Sequence, residues 1–317
     1  MELDDRVGDK SVLDILWDKH PPAEPLQEHA LIPGEPPVPP HPTRFESLTR
    51  AFIRKAALNT FGAAGPSGVD ANTWRRMCTG FAEASDRLCD AMASCARRLA
   101  TSYLDPTSLS AYVACRLVPL DKQPGVRPIG IGEVLRRILG KAILYVIGDD
   151  IRDAAGSLLL CTGHDNGIEA AIHAMRSVYE DPESEGILLA DARNAFNSLN
   201  RQVGLRNIQH LCLSLSPLVT NTYHHPANLY VGGETIKSSE GTTQGDPIAM
   251  PIYALGVLPL IQAVGVDGAT QSWFADDSGA GGKLVKLRQW WDLLVEKGPS
   301  YGYYPNAEKT VLSVKPE

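Results

Sequence analysis

Two neighbouring carboxylates, Asp276 and Asp277, stand in the run SWFADDSGAGG between apolar residues and glycines. At the end of a strand such a pair is electrostatically costly, and one pKa rises unless a cation neutralises it. A third carboxylate, Asp191, closes the apolar run Gly186-Ile187-Leu188-Leu189-Ala190 where the chain turns towards a helix. Antiparallel central strands would bring the three together. Oxygen ligands without His or Cys suit Mg²⁺, which leaves its other positions to water and phosphate. Two such ions about 3.5–4 Å apart activate an attacking 3′-hydroxyl and stabilise a leaving pyrophosphate. The plainer alternatives are a solvated Asp-Asp-Ser-Gly turn and a helix N-cap at Asp191.

The elements that must position these residues follow from periodicity and turn residues. GILLADARNAF, 186–196, reads as a strand, 200–212 as a helix, and NLYVGGETIKSS as a hairpin turning at Gly232-Gly233. GTTQGDPIAMPIYALGVLPLIQAV is a loop opening a long apolar helix, with Pro247 at a first helical position. SWFADDSGAGG is a strand, turn and exit; a helix from Lys283 and a last strand over EKTVLSV, 308–314, follow. Upstream, FESLTRAFIRKAAL is a helix, and 71–104 form one or two helices with Met77, Phe81, Leu88, Met92 and Leu99 as the apolar stripe. ACRLVPLDKQPGVRPIGI predicts a hairpin, and helices follow from Glu133 and from Gly167. Mixed strands with helices packed on one side give an α+β layer architecture.

Bulk properties bound the function. The 317 residues are 44% hydrophobic and 21% charged, a soluble globular balance, and no apolar run reaches the length of a membrane span. The acidic N-terminus lacks the pattern of a signal peptide. Six cysteines form no CxxC pair and have no His at zinc-ligand spacing, so they read as thiols in a reducing, intracellular compartment. The net charge of −7 is concentrated in residues 1–43, which hold nine acids and three bases; the rest is near neutral, with 28 acids and 27 bases. A basic groove can hide in a neutral body, so charge does not decide for or against nucleic acid. Residues 21–43 carry nine prolines and predict an extended strap or linker, preceded by the amphipathic SVLDILWDKH, which could dock on the main body.

GILLADARNAFNSLNR, GTTQGDPIAMPIYALG, SWFADDSGAGG and GYYPNAEKT resemble, in order and spacing, palm motifs A, B, C and D of reverse transcriptases. RLVPLDKQPGVRPIGI looks like their finger hairpin, while GPSGVDANTW and CTGHDNGIEAAIHAMR resemble flanking segments of LINE-type, non-LTR elements. The resemblance spans about residues 45–315. It implies RNA-directed DNA polymerase activity and a right-hand fold of fingers and palm, with an antiparallel palm sheet packed on helices and the thumb absent or truncated. The corresponding division is 1–43 as an acidic, proline-rich extension, 44–185 as fingers and connection, and 186–317 as palm.

The family's roles carry over residue by residue. Asp191, Asp276 and Asp277 match the catalytic, metal-binding aspartates, holding two Mg²⁺ ions with Mn²⁺ as a substitute, although Phe274 replaces the usual tyrosine before the pair. Phe196 matches the aromatic gate that leaves no room for a 2′-hydroxyl; alone it reads as a core phenylalanine. Gln244 and Gly245 match the motif B loop, where Gly permits close approach and the amide can contact base or template. Lys122 and Arg127 match the cations that grip the triphosphate, and without that context they read as a solvated basic hairpin. Lys309 matches a proton donor to pyrophosphate, and Ala192 and Arg193 lie in the nucleotide's surroundings. The implied partners are an RNA template, a DNA primer and dNTPs, with no membrane.

Two other readings use the same residues. An RNA-dependent RNA polymerase shares the palm but wants a polar side chain at position 196. A domesticated or fragmentary reverse transcriptase keeps the fold without activity, and the stop just after motif D suggests a partial chain. A Ser/His/Asp hydrolase finds no Gly-x-Ser-x-Gly elbow.

Overall fold

The computed structural model describes residues 2–37, 42–122, 125–159, 161–162 and 166–316. Gln123 and Pro124 of the hairpin turn, Gly163-His164-Asp165 of a flanking segment, and Pro39 and Pro40 of the proline-rich run lie outside these residues. Helix makes up 51% and strand 17%, and the strands lie in one antiparallel and one mixed four-stranded sheet, an α+β architecture.

The antiparallel sheet has the order Val311–Val314, Gly186–Ala190, Asp277–Gly282, Ala269–Phe274. Its central strand, Asp277–Gly282, carries only small residues after Asp277, which lets helices approach both faces. On one face lies Gly167–Glu180, so close that a Cβ on Gly281 would stand 2.4 Å from Val178 Cγ1. On the other lies Leu284–Lys297, whose Trp290 meets Trp273 edge-on at 6.1 Å. Helices therefore cover this sheet on both sides, not on one.

The mixed sheet has the order Val126–Gly132, Cys115–Asp121, Ala227–Val231, Glu234–Ser238, with its two middle strands parallel. The expected hairpins at 115–132 and 227–238 are both present, the second turning at Gly232 and Gly233 with positive φ. Helix Val12–Asp18 docks here: Val12 and Leu16 are fully buried beside Leu117, Val126, Leu229 and Ile236. Ser11 and Asp14 close a capping box at its start.

Helices Arg50–Leu58, Ala71–Thr79, Glu83–Thr101 and Val134–Ala155 share a core of Ile53, Cys89, Met92, Leu99, Ile138 and Ile143. Phe81 departs from the expected stripe. It lies in the break between two of these helices and is 50% exposed, its ring under the Arg76 guanidinium. Helix Ala249–Ala263 starts after Pro247, with Ile248 as N-cap, and packs on Arg201–Leu211 where Gly204 and Gly256 meet. A helix at Ser216–Tyr223, not anticipated from the sequence, follows. The six cysteines are free thiols, and burial pushes Cys78 up to about 12. Among the described residues, no helix is long and apolar enough to cross a membrane.

Candidate functional site

The two aspartates lie at the tip of a β-hairpin. Phe274 pairs with Asp277, so Ala275 and Asp276 form a two-residue turn, and the chain returns as a strand where an exit was expected. Ala275 sits at φ 54°, a conformation that costs a residue with a Cβ and persists only where its surroundings impose it. Here the Tyr303 hydroxyl donates to the Asp276 carbonyl at 3.2 Å and lies 2.9 Å from Ser278 Oγ. On the neighbouring strand Ala190 pairs with Ser278, which sets Asp191 at the same end of the sheet as the hairpin tip. The antiparallel juxtaposition expected from the sequence is therefore present.

The carboxylates feel one another. Burial, and then the charges of Asp276 and Asp191, push the Asp277 carboxyl up, while Lys122 opposes them. Among the described residues no hydrogen bond or ion pair reaches the carboxylate oxygens of Asp276 or Asp277. Asp191 Oδ2 has Lys309 Nζ at 3.4 Å.

Asp191 and Asp276 line a polar cavity of about 500 Å³. Lys122 and Arg127 enter it from the 115–132 hairpin, and Lys309 from the helical turn Ala307–Lys309. Ala192, Arg193, Phe196 and Gln244 form further parts of the wall. Asp277 instead faces an apolar groove of about 590 Å³ between helix Gly167–Glu180 and the sheet. Asp191 and Lys309 border both spaces. Gly245 lines neither. Its φ of 106° and the 3.0 Å that would separate a Cβ from the Gly130 carbonyl oxygen account for a glycine there.

The walls are fixed from behind. The Gln244 carbonyl accepts from Gly130 N–H at 3.0 Å, and the Gln244 amide lies 3.4 Å from Asn197 Oδ1. Asp246 forms a buried ion pair with Arg136, the two side chains 5% and 3% exposed, and accepts the Tyr223 hydroxyl at 2.6 Å. Burial works against the Arg136 charge, but Asp246 and then Tyr223 outweigh it and raise its pKa. Arg136 and Arg201 each lie 5.4 Å from the Tyr223 ring, and Arg201 donates to Ser238 O, so the loop carrying Gln244 is anchored to the mixed sheet through one cluster. The segment after Gly302 is registered against Asp191: Arg193 N–H donates to Tyr304 O and Asn306 N–H to Asp191 O, both at 2.8 Å.

Sequence reasoning missed two features here. One is Lys19, which follows helix Val12–Asp18 and lines the same cavity. The other is a series of asparagines that hold the N-terminal segment by its main chain. Asn194 and Asn197 donate to Lys19 O at 2.9 and 3.0 Å, Asn200 to Pro25 O at 3.3 Å, and Asn207 to Ala30 O at 3.0 Å. The spacing Asn194, Asn197, Asn200 was the available signal, since it repeats a polar amide beside a chain whose prolines cannot donate.

The donors facing the cavity from Asp191 and Asp276 are oxygens alone, and with Asp277 beside them they fit Mg²⁺, which needs only one or two carboxylates. Among the described residues, no three His, Cys, Asp or Glu side chains are gathered closely enough to hold an ion by themselves. Opposite stand Lys19, Lys122, Arg127 and Arg193, none of whose side chains has a hydrogen bond or ion pair among the described residues. Unpaired cations facing oxygen ligands can bind a polyphosphate together with a divalent cation. No protein-family model and no curated protein matches this chain.

Proposed function

We propose that this chain is an RNA-directed DNA polymerase of the LINE-type reverse-transcriptase class, extending a DNA primer on an RNA template with dNTPs inside a reducing compartment. The fingers hairpin is then residues 115–132, and the palm is the antiparallel sheet with its flanking helices. One observation carries the reading: Asp191 and Asp276 share a single cavity with Lys122, Arg127, Phe196, Gln244 and Lys309, residues drawn from distant parts of the chain.

In this reading Asp191 and Asp276 would hold Mg²⁺ from the cavity wall, with Asp277 beside them at the edge of the neighbouring groove. When bound, the ions activate the primer hydroxyl and neutralise charge on the leaving pyrophosphate. Lys122 and Arg127 bind the triphosphate, Lys as a mobile point charge and Arg as a planar fork. Phe196 closes the space beneath the sugar, braced by Tyr253 at 4.6 Å between ring centroids. Gln244 contacts the base or template. Lys309 is assigned the proton delivered to pyrophosphate, its ammonium being 3.4 Å from Asp191 Oδ2.

Primer extension on matched RNA and DNA templates with Mg²⁺ tests this directly. Extension on RNA with dNTPs, lost on Asp276→Ala/Asp277→Ala substitution, is the expected result. A preference for rNTPs would shift the reading to an RNA polymerase. No extension under any condition would leave a fold without the activity.

A further inference from the structure

We infer that Lys19 is a phosphate ligand of the incoming nucleotide, and that nucleotide binding thereby clasps the N-terminal segment over the cavity. The inference rests on the polymerase reading for the identity of the ligand, but the anion site itself rests on geometry. Lys19 is brought to the cavity from outside the sheets that build it. Helix Val12–Asp18 lies on the mixed sheet through Val12 and Leu16, and its last turn ends with Lys19 N–H donating to Ile15 O at 3.1 Å. The Lys19 carbonyl is then held by the amides of Asn194 and Asn197, three and six residues beyond Asp191. The main chain at Lys19 is thus tied to the same turn that carries a proposed metal ligand.

The side chain has no such tie. Lys19 is half-buried, lines the cavity, and makes no side-chain hydrogen bond or ion pair among the described residues. Burial, followed by the charges of Lys122, Lys309 and Arg127, lowers its pKa. Five cations, Lys19, Lys122, Arg127, Arg193 and Lys309, line this space against the two carboxylates of Asp191 and Asp276, an excess of positive charge that an entering anion offsets. A triphosphate carries enough charge to engage all of them, and each charge-assisted contact is stronger than a neutral one. By linkage, whatever phosphate gains from Lys19 it returns as tighter docking of residues 12–32, because the ligand favours the docked form.

The test uses the full chain as wild type, Lys19→Met and Lys19→Arg. Primer extension gives KM and kcat for dNTP. Cleavage by a Glu-specific protease, which reads Glu24, Glu28 and Glu35 in every variant, reports docking of the segment with and without Mg²⁺-dATP or Mg²⁺-tripolyphosphate. Expected is a rise of about tenfold in KM for Lys19→Met with a smaller change in kcat, recovery in Lys19→Arg, and nucleotide protection in the wild type that Lys19→Met lacks. An active Lys19→Met enzyme with unchanged KM and undiminished protection would overturn the Lys19 role and leave the polymerase reading standing. An inactive wild type whose segment is still protected by tripolyphosphate, with loss of protection in Lys19→Met, would uphold the anion clasp and sink the polymerase reading. Neither activity nor protection in the wild type would overturn both.

Discussion

Phe196 lies stacked on Tyr253, ring centroids 4.6 Å apart and planes inclined by 27°. Tyr253 is 1% exposed within the apolar helix Ala249–Ala263, so Phe196 cannot retreat from the cavity it lines. The ring is thus a wall and not a mobile lid. Phe196→Val should open space beneath the sugar. Single-nucleotide incorporation should then show the dNTP over rNTP ratio of kcat/KM falling by about tenfold or more, the scale set by contacts within one pocket. An unchanged ratio would remove Phe196 from sugar selection.

Asp276 and Asp277 stand together without a donor among the described residues, and their repulsion tells against the folded hairpin tip when no cation is bound. Asp276→Asn should therefore lower kcat by about 10³-fold or more. The same substitution should leave the melting temperature in metal-free buffer unchanged or raised. A lowered melting temperature there would mean the carboxylate has a structural partner.

Stability should depend far more on the buried pair Arg136–Asp246 than on exposed pairs. Asp246→Ala leaves a buried guanidinium uncompensated, a loss of about 3–5 kcal/mol. Asp292→Ala breaks the exposed i,i+4 pair with Arg288, worth about 0.3–0.5 kcal/mol. Denaturant midpoints of the two variants should differ accordingly. Equal effects would contradict the anchoring of the Gln244 loop through Asp246.

His20 supplies a pH dependence to the docked N-terminal segment. Burial, and then the charges of Lys19 and Arg201, hold its pKa below the ordinary value, while the hydrogen bond from Nδ1–H to Leu16 O at 2.7 Å acts the other way. As pH falls through about 6.5, the unfolded chain takes up a proton that the folded chain resists. The stability present above that pH is therefore lost below it. Melting curves between pH 7.5 and 5.5 should show a steeper fall for the wild type than for His20→Asn. Parallel curves would place the acid sensitivity elsewhere.

Much of the site was legible from residue order because its signals are local. An apolar run ending in Asp191, a carboxylate pair among glycines, and a hairpin flanked by Lys122 and Arg127 are each written within about ten residues. Strand and helix periods follow from backbone geometry, so the hairpins at 115–132 and 227–238 and the helix Ala249–Ala263 formed where the pattern put them. The helix Ser216–Tyr223 and the strand Asp277–Gly282 carried no such pattern. Tertiary packing decided what periodicity cannot carry. Phe81 fits an apolar stripe by spacing, yet the break between two helices turns it to solvent. Asp277 stands next to Asp276 in sequence, but Asp276 sits in the turn while Asp277 opens the returning strand, whose register faces it to the apolar groove. Small residues in Asp277–Gly282 admit a helix on each face, a choice that only the approach of Gly167–Glu180 reveals. Lys19 reaches the cavity because two buried side chains, Val12 and Leu16, and a row of asparagines fix a segment far from Asp191 in sequence. The sequence by itself determined which groups could do chemistry; long-range packing, which has no period to read, decided which of them face the same space.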